Sequence, residues 1–138
     1  IEIFVLIFLF PFIISAQNSD IIRLKIFTEH YTNDDPSKNR DIDLHATGII
    51  QINKNDRTIK ILQNIDIKFD IYHVGSSYPF EEDHAGEKYK AIVYPYKIMS
   101  SGGSTFEFLY YNYEEKGLEF VTITGNGGQY QYSVERIK

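Results

Sequence analysis

Cysteine and tryptophan are absent from this chain, and methionine occurs once. Without cysteine there is no disulfide framework, no thiol nucleophile and no lipidated N-terminal Cys. A chain of this length buries enough surface to fold without such a staple. Positive charge is also scarce: 14 Lys and Arg stand against 19 Asp and Glu, for a net charge of −5. That balance argues against a nucleic-acid partner and against an anionic membrane surface, both of which call for a basic face.

Catalytic motifs are missing as well. There is no G-x-S-x-G and no H-E-x-x-H, the arrangements that place a nucleophile or a metal-bound water. The four histidines, His30, His45, His73 and His84, are not at local ligand spacing, and a zinc site needs three or four converging groups. The carboxylates of Glu81-Glu82-Asp83 with Glu87, of Asp34-Asp35 and of Asp41 and Asp43 lack the ordered string of a calcium loop. Gly102-Gly103-Ser104 and Gly125-Asn126-Gly127-Gly128 have no helix after them, so they read as hairpin turns and not as phosphate cradles. No catalytic residue, metal or cofactor is therefore assigned, and an enzymatic reading has no supporting motif.

Long apolar runs are limited to one, Ile3 to Ile14, which ends at Ser15-Ala16-Gln17. It is shorter than the roughly 20 residues needed to span a bilayer as a helix. It fits the roughly 7–15 residue apolar region of a secretory leader, with small residues at the cut. Residues 1–16 read as a signal peptide that is incomplete at its start, since neither Met nor a basic residue precedes the run. Cleavage is expected after Ala16, leaving residues 17–138 as a single domain. That domain is expected to be exported, to the periplasm or the exterior, and soluble after processing. An uncleaved anchor or a buried helix is the other reading of the run.

What the sequence does have is aromatic residues and alternation. There are eleven Tyr and ten Phe, types that favour strands, and apolar residues recur with period two. Ile22, Leu24 and Ile26 share one face, with His30 continuing it. Ile42, Leu44, Ala46, Ile50 and Ile52 share another, and Ile65, Ile67, Phe69 and Ile71 a third, continued by His73. Strands with one wet face belong to antiparallel sheets. The breaks are turn chemistry, the longest being "GSSYPFEEDHAGE", expected to be a loop. The expected fold is all-β: an antiparallel up-and-down barrel of about eight strands. A two-sheet β-sandwich is the alternative. Pro95 falls within a strand, where it belongs at an edge or a bulge; an edge would leave the barrel imperfectly closed.

Folding the chain about Gly102 sets Lys97 against Glu107, Ile98 against Phe106, Tyr96 against Phe108 and Tyr94 against Tyr110. One face then carries an opposite-charge pair, and the other becomes an aromatic wall. Leu118, Phe120 and Thr122 are expected to extend that wall. A three-residue loop, Asn126-Gly127-Gly128, is expected to add Tyr130, Tyr132 and Val134. Tyr94, Tyr96, Phe106, Phe108 and Tyr110 are the candidate ligand-binding residues, because buried tyrosine hydroxyls need partners that apolar neighbours do not supply. The function these features suggest is a small β-barrel binding module for a small apolar or carbohydrate-like ligand. The alternative is a non-enzymatic structural or interaction protein acting through a strand edge or an exposed aromatic face, marked by Tyr111 and Tyr113 on the opposite side of the same strand.

Overall fold

A computed structural model describes residues 20–138; the apolar leader and its expected cleavage point lie outside the described residues. The strands are β1 (Ile21–Asn33), β2 (Arg40–Asp43), β3 (Ile49–Asn53), β4 (Thr58–Leu62), β5 (Ile67–Val74), β6 (Tyr78–His84), β7 (Glu87–Ser100), β8 (Thr105–Tyr113), β9 (Leu118–Gly125) and β10 (Gly128–Arg136). All pairings are antiparallel. The ladder runs β1-β3-β4-β5-β7-β8-β9-β10, and β10 returns to β1. Eight strands thus form a closed barrel. The extra strands β2 and β6 lie beside β1 and β7. The expected eight-stranded antiparallel barrel is present and closed, without the gap that an edge at Pro95 would leave, and there is no place for two separate sheets. Among the described residues there is no α-helix, and no helix is long and apolar enough to cross a membrane.

The barrel is filled by its own side chains. Leu24, Ile26, Ile50, Ile52, Ile59 and Ile61 form one side of a continuous core, and Ile98, Phe108, Val121 and Ile123 the other. Alternation places each of them, since successive residues of a strand face opposite sides.

Three faces differ from the sequence reading. Ile42 and Leu44 are exposed, because after β1 the chain rejoins the barrel wall only at β3; Ala46, between Leu44 and β3, is buried. Gly48 has φ +126, and a Cβ there would lie 2.5 Å from the Leu62 carbonyl oxygen. That close approach of backbone to backbone requires glycine. Ile65 lies before β5, and Ile67 is 45% exposed, whereas Ile71 is 4% exposed. The β5–β7 ladder starts only at Phe69, so Ile67 has a strand on one side alone. In β1 a bulge between Ile26 and Thr28 reverses the alternation. Tyr31, opposite Tyr130, turns to the core side and His30, opposite Gln131, turns away.

The β7–β8 hairpin has the expected register, with Lys97 facing Glu107, Ile98 facing Phe106, Tyr96 facing Phe108 and Tyr94 facing Tyr110. Pro95 sits at the break between two partner strands on one side of β7, while its pairing with Leu109 of β8 is regular. β5 pairs with β7 up to Tyr96, β6 pairs with it from Val93 downward, and Gly75 to Ser77 bridge the step. Gly75 N–H donates to the Pro95 carbonyl, so the missing proline N–H faces the place where the partner strand changes. The β9–β10 turn is the two-residue Asn126-Gly127, with φ +52 and +73, the tight hairpin that twisted strands favour. Tyr130, Tyr132 and Val134 do face inward, opposite Ile123, Val121 and Glu119. The shorter turn is accommodated because Val121 and Ile123 are the core residues of β9, while Leu118, Phe120 and Thr122 lie on the outer side.

Candidate functional site

The expected loop "GSSYPFEEDHAGE" is mostly strand. β6 and the first half of β7 form a hairpin around Ala85-Gly86, with Glu81 opposite Lys90 and Asp83 opposite Lys88. These opposite-charge pairs support the ladder and were the readable signal for it. The hairpin runs past the end of the β5–β7 barrel wall. Its outward side chains, Tyr78, Phe80, Glu82 and His84, share a face with Val93, Ala91, Tyr89 and Glu87, the residues of β7 opposite them.

That face continues onto β8 and β9. Val93 is opposite Tyr111, Tyr111 opposite Phe120, and Tyr113 opposite Leu118. Toward Tyr111 and Tyr113 the outer side of β8, with Leu118 and Phe120 of β9, is apolar as well as the inner side, so filling the barrel with one side leaves the other needing cover. The hairpin supplies part of it: Val93, Ala91 and Tyr113 are buried on the outer side of the sheet. What remains open is a cleft of about 470 Å³, within the usual range for a small-molecule site.

Rings form its walls. Tyr111 and Tyr113 lie parallel, with centroids 6.4 Å apart and planes 10° apart. Phe80 stands edge-on to Tyr111 at 5.7 Å, and Phe120 edge-on to Tyr113 at 5.9 Å. Tyr89 and Leu118 complete the apolar lining, and Glu82, His84, Thr122 and Gln131 supply the polar atoms. The Tyr113 hydroxyl donates to Glu82 Oε1 at 2.7 Å. His84 Nε2 lies 3.4 Å from the other oxygen of that carboxylate and packs edge-on to Tyr89. Burial, reinforced by the bonded Glu82 carboxylate, pushes the Tyr113 hydroxyl well above the ordinary phenol range. Burial also raises Tyr111, an effect tempered by Thr122. That contact does not complete a hydrogen bond: Thr122 Oγ1 is buried without a partner, an arrangement that is rare in folded chains. The tip is tied down on its far side, where Lys116 Nζ donates to Glu87 and lies 4.8 Å from the Tyr89 ring centroid.

The five residues singled out from sequence lie on the other side of the same strands. Tyr96, Phe108 and Tyr110 are core residues. Phe106 packs against that core, edge-on to Phe69 at 5.6 Å. Tyr94 is 37% exposed at the rim and stacks on Tyr110 at 5.6 Å. The Tyr110 hydroxyl donates to Glu119, so its polar tip has a partner at the barrel end. None of the five lines the outer cleft; Tyr111 and Tyr113, the residues of the opposite face, do. Among the described residues no group of three or more His, Asp or Glu is placed to hold a metal ion. Compared with protein-family models, with curated proteins and with solved structures, the chain gives no match.

Proposed function

We propose that this protein is a non-enzymatic binding module, and that its ligand site is the outer aromatic cleft between the β6–β7 hairpin and strands β8 and β9. The observation that carries this reading is the cleft itself: aromatic rings surround an open volume of about 470 Å³, with polar groups at its margins. A filled barrel leaves the inner wall little room, so the small ligand is placed outside it. The ligand has substantial apolar surface, because rings make up most of the walls.

Binding of a neutral environment-sensitive dye such as Nile red tests this. The parent should bind it, Phe120→Ala should weaken binding by about fivefold or more, about 1 kcal/mol, and Tyr96→Phe should leave it unchanged. Loss of binding in Tyr96→Phe with retention in Phe120→Ala would move the site to the inner wall.

The apolar run Ile3 to Ile14 and the small residues after it support export as the setting for this binding. N-terminal sequencing of the secreted product should begin at Gln17; a product that retains the run contradicts processing there.

A further inference from the structure

Resting on the binding reading above, we infer that the outer cleft takes a small organic cation with a quaternary ammonium head. Charge is the first ground. Glu82 is the carboxylate among the lining residues, and no lysine or arginine lines the cleft. The Tyr113 hydroxyl holds one oxygen of that carboxylate at 2.7 Å, so the negative charge is positioned at the cleft wall. The base in the lining, His84, sits 3.4 Å from that carboxylate, and Lys116 at the cleft edge is paired with Glu87, so an anion meets the Glu82 charge with both nearby bases already engaged.

Ring geometry is the second ground. The parallel Tyr111 and Tyr113 rings carry Phe80 and Phe120 at steep angles of 74° and 83°. Rings set at steep angles along one cleft wall differ in the direction their faces turn, and ring faces attract a diffuse cation through the ring quadrupole. The chain uses the same attraction elsewhere. Arg40 lies 4.9 Å from the Tyr31 ring and 5.4 Å from Tyr130, and Lys116 lies over Tyr89 at the edge of this cleft.

The third ground separates a cation from a sugar. A sugar ring needs several free hydrogen-bonding groups around its edge. Here Glu82 already accepts from Tyr113, and Thr122 Oγ1 is enclosed. His84 is engaged with Glu82, which leaves the Gln131 amide and the Tyr89 and Tyr111 hydroxyls, few groups for a polyol against a lining made mostly of rings. A quaternary ammonium asks for no hydrogen bond and gains from every ring face it touches.

The test is calorimetric titration of the full chain with choline, tetramethylammonium, methyl β-glucoside and 3,3-dimethylbutan-1-ol, the uncharged isostere of choline. Choline and tetramethylammonium should bind, with the isostere weaker by about tenfold or more. Glu82→Gln should weaken choline by about fivefold or more and leave the isostere unchanged. Phe120→Leu, which keeps apolar volume and removes a ring, should weaken choline more than the isostere. Equal binding of choline and its isostere, or choline binding indifferent to both substitutions, overturns the assignment. Binding of the glucoside without choline overturns the cation while the binding module stands. Failure of every probe, the neutral dye included, overturns both.

Discussion

Tyr110, Tyr113 and Tyr132 each combine a buried ring with a hydroxyl beside a carboxylate: Glu119, Glu82 and Glu29 respectively. In each case burial is the leading cause that raises the hydroxyl's titration, and the neighbouring carboxylate adds to it. Tyr96 and Tyr111 are raised by burial too. The sign of the consequence follows from linkage. Well below about pH 10, where an unfolded tyrosine is half ionised, both states are protonated and the contribution is fully present. Above it the unfolded chain loses protons that the folded chain keeps, so stability falls as pH rises toward the folded values. The midpoint of urea unfolding should be lower at pH 11 than at pH 9. Phenolate absorbance at pH 11 should be incomplete for the eleven tyrosines and rise when denaturant is added. Full absorbance at pH 11 in a chain that remains folded would contradict the burial of these hydroxyls.

Among the strands, legibility depended on whether the two faces differ. β7 and β8 carry a charge pair on one side and rings on the other, and their register was readable residue by residue. β9 reads L-E-F-V-T-I-T-G; Leu118, Phe120 and Thr122 compete with Val121 and Ile123 for the core, and alternation alone does not choose between them. The same two-sided character that hid the inner face of β9 produces the outer cleft. The β6 residues of the site were hidden by Gly, Ser and Pro before and among them, although the Glu81–Lys90 and Asp83–Lys88 pairing was available. In β5, alternation gave the face and not its extent, because the strand outruns β7 at Ile67. Substitution separates the two ends of that strand. Ile71→Asp should cost several kcal/mol, since it buries an unpaired charge, and should unfold the domain. Ile67→Asp, at the half-exposed start, should change stability by about 1 kcal/mol or less, as read from urea unfolding. Similar large losses at both positions would mean that Ile67 is enclosed.

For the molecule as a whole, the barrel and the cleft are two consequences of one composition. A cysteine-free chain rich in Tyr and Phe closes eight strands around Ile, Leu, Val and part of its aromatic complement. It then has more aromatic surface than the interior can take. The excess is gathered on the outer side of β8 and β9 and partly roofed by the β6–β7 hairpin, whose tip is tied by the Glu82–Tyr113 and Glu87–Lys116 contacts. The barrel was legible from period-two patterning and turn chemistry. The outer cleft was not, because an aromatic wall in sequence does not say which of its two faces the barrel will fill. The proposed ligand face is the outer one. Intermolecular nuclear Overhauser contacts between bound Nile red and the protein's aromatic side chains test this directly. Contacts should fall on Phe80, Tyr111, Tyr113 and Phe120; contacts on Tyr94, Tyr96, Phe108 and Tyr110 instead would contradict it.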